Sequence, residues 1–309
     1  MSRPAVASAA QRRIFPDIIR RLPERVVIWV PLLLAAAHIV SFAIWTVWVS
    51  FTPSTLVPVA GWVGLRNYTS VMATRNWQIA FDNLLLFAGS FVVLSVIGGL
   101  LLAILIDQRI RGENVLRSIF LYPLALSFVV TGTVWSWLLN PGLGIQKFVN
   151  GLGFASFRFD WLLDRDKAIW TIVIAAIWQS AGFAMALFLA GLRAVDGDLI
   201  RAAQIDGAGP FRTYRRIILP MLWPITVTVV VIQLQFAITT FDLVRALTDG
   251  GPGLATQLPA LVVYDFMFQR GMLGRGAAAA VLMMLILLAV LLHYAAWQHA
   301  QRRRAARAQ

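Results

Sequence analysis

Long apolar runs alternate with shorter polar segments along the whole chain. A bilayer core of about 30 Å is crossed by about 20 apolar residues in a helix, whose backbone groups pair with one another. Each apolar run of that length therefore predicts one membrane-spanning helix. The runs lie at residues 26–51, 83–106, 119–139, 168–192, 217–241 and 277–300. The pattern predicts an all-α integral membrane protein with about six spans, the first of them a retained anchor because it is about twice as long as a signal-peptide apolar region.

Composition supports a membrane protein and narrows its chemistry. Hydrophobic residues make up 59% of the 309 residues and charged residues 13%, a balance that is not typical of soluble domains. The net charge of +13 would suggest a nucleic-acid partner in a soluble protein, but the basic residues lie between the apolar runs, so no such partner is expected. The chain has no cysteine and three scattered histidines, which gives no spacing suited to a metal site.

Basic residues also indicate the orientation of the chain. Eighteen of the 27 Lys and Arg residues fall in one set of alternate segments and nine in the other. Because basic flanks stay on the cytoplasmic side, both termini and the segment around residue 201 are expected there, with residues 52–82, 140–167 and 242–276 outside. This gives a cytoplasmic tail at residues 1–25, a membrane domain at 26–300 and a basic cytoplasmic tail at 301–309.

The cytoplasmic segment 196–220 has the pattern of a short surface helix between two spans. Asp196 and Asp198 are typical of a helix start, and Gly207 is expected to end the helix. We expect Gly207 either to allow a close backbone approach or to adopt a conformation that other residues disfavour. Ala202 and Ala203 are small enough on an exposed face to let a partner protein approach, and an ordinary interfacial helix is the alternative.

This segment resembles the EAA loop of binding-protein-dependent ABC importer permeases. The matching residues are Ala202, Ala203, Asp206, Gly207, Ala208 and Pro220, and Arg201 stands where the family motif begins with glutamate. An ion pair made by that glutamate is therefore not expected here. Residues 122–144 and 247–278 resemble carbohydrate permeases, and residues 122–137 and 201–208 are most similar to glucose and mannose permeases.

The resemblance implies a type I ABC importer permease fold and a role in sugar import by alternating access. It implies an ATP-binding subunit dimer, a second permease subunit and an extracytoplasmic solute-binding protein as partners, in a bacterial inner membrane whose lipid surrounds the spans. The coupling residues would be those of the motif together with Arg201 and Phe211. Since the chain has no G-x-x-x-x-G-K-[ST] loop, no cofactor is expected on it, and ATP and Mg²⁺ would be bound by the partner ATPase.

Amide side chains within two spans are candidates for a sugar path. A neutral sugar is bound by amides, hydroxyls and aromatic faces rather than by a charge pair. The candidates are Gln179, Ser180 and Phe183 in the fourth span and Gln233, Ala237 and Thr240 in the fifth. The alternative is that both amides make structural hydrogen bonds between helices.

Two further interpretations concern charge and function class. Asp242 and Arg245 are spaced to form a local ion pair at the outer end of the fifth span, or a solvent-exposed cap. A proton relay is disfavoured because no chain of intramembrane acids accompanies them. An ion-coupled secondary transporter would also explain six spans, but it predicts inverted repeats and membrane-embedded acids, and neither is found in the sequence. A membrane-embedded enzyme would need a nucleophile and base or a carboxylate pair within the spans, and no such arrangement is found.

The orientation predicts which loops are accessible from outside the cell. A single cysteine replacing Asn150 should react with a membrane-impermeant maleimide on intact spheroplasts, because the 140–167 segment is expected outside. A cysteine replacing Gln204 should react only after permeabilisation. Reaction of the cysteine at position 150 only from the cytoplasmic face would reverse the assigned topology.

Overall fold

The computed structural model describes residues 24–108 and 111–307, which form helices and turns without any β-strand. The predicted tail at 1–25 lies outside the described residues except for Glu24 and Arg25, and residues 301–307 of the predicted basic tail continue the last helix. The helices are α1 (Glu24–Ser50), α2 (Arg66–Met72), α3 (Arg75–Asp107), α4 (Glu113–Leu121), α5 (Phe128–Leu138), α6 (Ile145–Gly151), α7 (Ala168–Arg193), α8 (Gly197–Ile205), α9 (Pro210–Thr213), α10 (Leu219–Thr239), α11 (Asp242–Leu247), α12 (Pro259–Tyr264) and α13 (Leu273–Arg307).

Five stretches of helix within the described residues are long and apolar enough to cross a membrane. They are Trp29–Ser50, Arg75–Asp107, Ala168–Arg193, Pro210–Thr239 and Leu273–Gln301, and they coincide with five of the six predicted spans. The helices extend beyond the apolar runs in several places, because the apolar pattern marks the membrane-buried part and not the helix ends. The all-α membrane architecture expected from the sequence is therefore confirmed.

The third predicted span, residues 119–139, is not one straight helix. Its two halves, Glu113–Ala125 and Phe128–Leu138, meet at an angle of 101°. Pro123 lies in a 3₁₀ turn at Tyr122–Ala125, Leu126 is extended with φ −79° and ψ 146°, and the Ser127 hydroxyl accepts a hydrogen bond from Val129 N at the start of α5. Proline and an N-capping serine together interrupt the α-helical hydrogen bonds, which produces the bend.

The chain divides into two compact units, residues 1–48 and 49–309. The described part of the first unit is most of α1, in which Ser41 and Thr46 donate their hydroxyl protons to carbonyls one turn earlier in the helix. Such bonds leave no free hydroxyl proton on a helix that crosses lipid. The Trp45 and Trp48 rings lie 5.1 Å apart near the outer end of α1, as expected for an aromatic belt.

The core of the second unit is the packing of α3 against α7. Phe87 and Phe91 of α3 are fully buried among residues that include Ile172 of α7. Farther along the same two helices, a Cβ added to Gly99 would lie 2.5 Å from the Ala184 Cβ. Small residues at this position let the two backbones approach, which is how helices gain contact area in a membrane.

The segments expected to lie outside contain the short helices α2, α6, α11 and α12. Asn83 Nδ2 of α3 donates hydrogen bonds to the carbonyls of Leu254 and Gln257, at 2.9 and 3.0 Å, and so holds the 248–258 loop.

Just before α7, Lys167 Nζ lies 2.9 Å from an Asp164 carboxylate oxygen. The hydrogen bond lowers the pKa of Asp164 and raises the pKa of Lys167.

Two arrangements were expected for Asp242 and Arg245. The local ion pair is not found among the described residues, whereas Asp242 is exposed at a helix start. Arg245 instead pairs with Asp249, one turn farther along the chain, and its guanidinium lies 5.1 Å from the centre of the Tyr264 ring. Arg245 extends toward the carboxyl end of α11, whereas Asp242 is the first residue of that helix, where a carboxylate is favoured by the helix dipole.

The close contact of α3 with α7 predicts a sharp difference between two adjacent glycines. Gly99→Ala should lower the stability of the protein by about 1–3 kcal/mol, because the new methyl overlaps Ala184 and Met185. Gly98→Ala should leave the stability unchanged or raise it by less than about 1 kcal/mol, because nothing lies within 4 Å of that position and alanine favours helix. Thermal unfolding of the purified protein in detergent measures both, and equal effects of the two changes would contradict the packing.

Candidate functional site

The surface helix α8, in the segment expected to lie in the cytoplasm, begins and ends with well-defined caps. Asp196 is its N-cap, and an Asp196 carboxylate oxygen accepts a hydrogen bond from Asp198 N at 2.9 Å. At the other end, Gly207 N donates to the Gln204 carbonyl at 3.0 Å and Ala208 N donates to the Ala203 carbonyl at 2.9 Å. This pair of bonds is a Schellman motif, which fixes where the helix stops.

The Schellman motif explains the glycine of the loop. Gly207 has φ +75°, a left-handed conformation that costs other residues about 1–2 kcal/mol. No heavy atom lies within 4 Å of a Cβ placed on Gly207. Of the two reasons expected for this glycine, the structure supports the backbone conformation and not a close approach within this chain.

The two alanines of the loop face opposite ways, which corrects the expectation that both lie on an exposed face. Ala203 is 8% exposed and packs inward, whereas Ala202 is exposed. Adjacent residues on an α-helix differ in direction by about 100°, so both cannot lie at the centre of one face. The exposed surface is completed by Ile205, 86% exposed, and Phe211, 78% exposed. The loop therefore presents a partly apolar exposed surface.

Arg201 and Asp206 lie on the exposed part of this loop. The Arg201 guanidinium pairs with the carboxylate of Asp198, three residues earlier on α8, and both side chains are about three-quarters exposed. Such a surface pair is worth about 0–1 kcal/mol, so a partner protein can displace it at little cost. Asp206 is the C-cap of α8 and is exposed as well.

The loop is continuous with the fifth span. Pro210 is the first residue of α9, which runs through a π turn at Tyr214–Ile218 into α10 as one stretch of helix, Pro210–Thr239. Pro220 has no N–H to donate and its ring crowds the preceding turn, and the π turn directly before it accommodates both effects. Pro220 therefore lies inside the helix Pro210–Thr239, which joins the second half of the loop to the span.

An ion-pair cluster at the end of α7 was not found by sequence reasoning. Arg193, the last residue of α7, donates to a Glu113 carboxylate oxygen at 2.5 Å and lies 3.8 Å from an Asp107 carboxylate oxygen. Asp107 ends α3 and Glu113 begins α4, so a single arginine joins three helices three residues before the α8 N-cap. No signal in the sequence links positions 80 residues apart.

Gln179 is fully buried at the bend between α4 and α5. Its Nε2 donates to the Leu126 carbonyl at 2.9 Å, and Leu126 is the extended residue at which the helix is interrupted. Its Oε1 is also buried and accepts no hydrogen bond from the described residues. One turn on, Gly182 leaves space for the Phe120 carbonyl, which a Cβ on Gly182 would approach to 1.9 Å. One face of α7 therefore supports the bend.

Gln233 lies in a second buried polar group that joins three spans. Its Nε2 donates to Ser180 Oγ at 3.4 Å, and Ser180 Oγ donates to the Ala176 carbonyl at 2.8 Å. Ser95 of α3, which sequence reasoning missed, lies 3.5 Å away from Ser180 Oγ to Oγ. The structure thus brings the fourth and fifth spans together at these side chains, as the sequence predicted.

The remaining predicted path residues differ from one another in burial and in hydrogen bonding. Phe183 is half-buried on α7, Ala237 is fully buried in the core, and Thr240 donates its hydroxyl proton to the Phe236 carbonyl at 2.7 Å. Thr240 lines a pocket of about 70 Å³ at the outer end of α10. Its other lining residues are Phe128, Phe236, Thr239, Phe241, Asp242 and Leu243. The pocket joins aromatic faces to hydroxyl and carboxylate groups, which is the chemistry that binds sugars, but at this size it holds only about two waters.

Two more buried polar atoms lie on α5 without a hydrogen-bond partner among the described residues. They are Thr131 Oγ1 and Trp135 Nε1, one helical turn apart, and the Trp135 ring contacts the Trp178 ring at 5.9 Å. Gln179 Oε1, at the bend, is a third such atom. Unsatisfied buried atoms are costly, so these positions are less stable in this arrangement than apolar side chains would be.

Comparison with known proteins agrees with this architecture. Residues 95–305 match the model of the family described as binding-protein-dependent transport system inner membrane component. A probable ABC transporter permease of Pyrococcus horikoshii is 35% identical over 260 residues, which cover 83% of this chain and 89% of that protein. The trehalose/maltose transport system permease MalF of Thermococcus litoralis is 33% identical over 234 residues, with coverages of 75% and 79%.

The fold matches that of a solved transporter. A chain in the crystal structure of a bacterial ABC transporter involved in the import of the acidic polysaccharide alginate superposes with a TM-score of 0.72, over 91% of this chain and 96% of that chain. The sequence identity is 20%, so this likeness shows the fold alone. By its family match and its long alignments to permeases, the chain belongs to the inner-membrane components of binding-protein-dependent transport systems.

Proposed function

We propose that this chain is the permease subunit of an ATP-driven sugar importer and that residues 196–220 couple it to a separate ATPase subunit. The observation that carries the proposal is the exposed helix α8, which is fixed by caps at both ends and is joined by the turn at residues 206–209 to the continuous helix Pro210–Thr239. A rigid, partly apolar helix at the cytoplasmic surface is suited to fit a cleft in another protein and to move a span when that cleft moves. The ATP and Mg²⁺ belong to that partner.

The resemblance and the family support the other components of the importer. A second permease subunit would complete the translocation path, and a solute-binding protein would deliver the sugar from outside. The relative from Thermococcus litoralis is named for trehalose and maltose, which supports a sugar as the substrate class. Glucose or mannose is proposed from the similarity of residues 122–137 and 201–208 to monosaccharide permeases, and the protein is placed in a bacterial inner membrane with both termini cytoplasmic.

Within the membrane, we assign the sugar path to the contact of α5, α7 and α10. Gln179 Oε1 and Thr131 Oγ1 are available to bind hydroxyls, and Phe236 and Phe128, with rings 4.8 Å apart, offer apolar faces at the outer end. In the conformation described, these groups are closed on one another. Opening at the bend would expose them to sugar, in agreement with an alternating-access cycle.

The coupling role predicts graded effects at Gly207. Gly207→Val should reduce sugar uptake and sugar-stimulated ATP hydrolysis roughly tenfold in proteoliposomes of the complete transporter, because a β-branched residue disfavours φ +75° and the Schellman motif is lost. Gly207→Asn should retain more activity, because asparagine tolerates the left-handed conformation.

Gly209→Ala is the matched control, since Gly209 has φ −67° and open space around its Cβ position. It should transport at the normal rate. Full coupling in Gly207→Val, with the complex assembled, would remove α8 from the coupling role.

The two buried amides should respond differently to replacement. Gln179→Leu should lower the melting temperature of the complex by an amount corresponding to about 1–3 kcal/mol, because the Leu126 carbonyl loses its donor within the membrane. Gln233→Leu loses only a 3.4 Å contact with Ser180, so its melting should change less and its uptake of glucose relative to mannose should change more.

Gln235→Leu is the control, because Gln235 is exposed on the same helix as Gln233. Uptake of the two epimeric sugars is measured beside melting of the purified complex. Unchanged sugar preference together with an equally lowered melting temperature in Gln179→Leu and Gln233→Leu would show that both amides are structural and lie outside the sugar path.

A further inference from the structure

An apolar groove of about 600 Å³ lies between α10 and α13, and none of its lining residues belongs to the proposed coupling loop or sugar path. Its floor is formed by aliphatic side chains, among them Val230, Leu234 and Val290. At one end the groove is lined by Tyr294 and Trp297. A narrow aliphatic groove with an aromatic end fits a hydrocarbon chain better than a sugar.

Three polar side chains at the aromatic end are paired within the chain, whereas His293, which also lines the groove, is exposed. Gln298 Nε2 donates to the Tyr294 hydroxyl oxygen at 2.6 Å. The Tyr294 and Thr228 hydroxyls lie 2.9 Å apart, and Thr228 donates to the Pro224 carbonyl at 3.0 Å. These bonds join α10 to α13 at one level and leave the aliphatic part of the groove open beside them.

The position of the groove matches one leaflet of the bilayer. It spans residues 227–234 of α10 and 289–297 of α13. At 1.5 Å per residue this is roughly 11–12 Å, less than half of the ~30 Å hydrocarbon core. The Trp297 end lies toward the C-terminus of the membrane span Leu273–Gln301. Tryptophan is typical of the level at which headgroups begin.

Only positive charge follows at that end. Arg216 lies about 18 Å from the Thr228–Tyr294 contact along the helix Pro210–Thr239. Arg303 lies about 14 Å from the same contact along α13. Both are exposed. The sequence adds arginines at 212, 215, 302, 304 and 307, and neither residues 210–239 nor residues 273–307 contain an Asp or Glu. A ligand that fills the groove and extends into this region is therefore favoured if it carries negative charge.

We propose that the groove between α10 and α13 binds an anionic phospholipid, with one acyl chain against Val230 and Val290 and the phosphate headgroup among the arginines at the ends of the two helices. The aliphatic floor selects a hydrocarbon chain, and the arginines select the headgroup charge. An arginine near the membrane surface contributes about 1 kcal/mol of attraction to anionic lipid, which corresponds to roughly fivefold in affinity.

The test uses the complete transporter, purified in detergent, delipidated and examined by native mass spectrometry. Phosphatidylglycerol and phosphatidylcholine with identical acyl chains are added at equal concentration. Phosphatidylglycerol should remain bound roughly fivefold or more in preference to phosphatidylcholine. Ala289→Trp, which fills the groove, should abolish the retention of both lipids. Ala289→Leu fills less of the groove and should reduce their retention. This milder variant keeps the test valid where Ala289→Trp impairs folding.

Leu288→Trp is the matched control, because Leu288 is 42% exposed on the other side of α13 and should leave binding unchanged. The triple change Arg302→Gln, Arg303→Gln and Arg304→Gln should remove the preference for phosphatidylglycerol but not the binding of a chain. Equal retention of the two lipids by the unmodified protein, or full retention in both Ala289 variants, would overturn the proposal. Dissociation of a second permease subunit in Ala289→Trp would overturn it too, since the groove would then be a protein interface.

Discussion

A backbone carbonyl inside a membrane needs a hydrogen-bond donor, and this constraint governs the centre of the structure. The helix is interrupted at Leu126, whose carbonyl therefore loses its helical partner. Gln179 Nε2 supplies the donor at 2.9 Å from the neighbouring span, and Gly182, one turn along, leaves room for the Phe120 carbonyl. These two residues of α7 accommodate the 101° bend. The bend in turn sets where α5 lies against α7 and α11.

The same region holds the polar atoms that remain unsatisfied. Gln179 uses its donor for the bend, which leaves its Oε1 without a partner, close in sequence to the contact of Trp178 with Trp135. Leaving such an atom buried costs about 1–3 kcal/mol, so the closed contact is stabilised less than an apolar one would be. A transporter needs two conformations of similar free energy, and a contact with unpaired polar atoms is suited to separate. Under the proposed function, the structural and the substrate interpretations of Gln179 would apply to different atoms of one side chain.

The sequence predicted the spans and the short surface helix well because their signals are local. Apolar runs, the N-cap Asp196 and the glycine at 207 each act within a few residues. The bend could also have been predicted from local signals, since Pro123 and Ser127 both lie within the apolar run 119–139. A search for runs of about 20 apolar residues does not detect such a break in direction. Long-range side-chain partners could not be predicted from the sequence. The bond from Gln179 to Leu126 spans 53 positions, and the bond from Arg193 to Glu113 spans 80. The orientation of Ala203 depended on the packing of α8, which the sequence does not specify.

The two ends of this architecture are connected through α7. At its cytoplasmic end, Arg193 joins α7 to the start of α4 through Glu113, and the α8 N-cap follows three residues later. In its middle, Gln179 joins α7 to the point where the segment that begins with α4 bends into α5. The segment between Glu113 and Leu126 is therefore attached to α7 at both of its ends. Under the proposed function, a displacement of α8 that moved α7 would also move the segment between Glu113 and Leu126. The helix is interrupted at the extended Leu126, so α5 beyond the bend could change direction independently. In this way the proposed coupling loop would act on the contact of α5 with α7. The movement would pass through α7, the Arg193–Glu113 ion pair and the Gln179–Leu126 hydrogen bond.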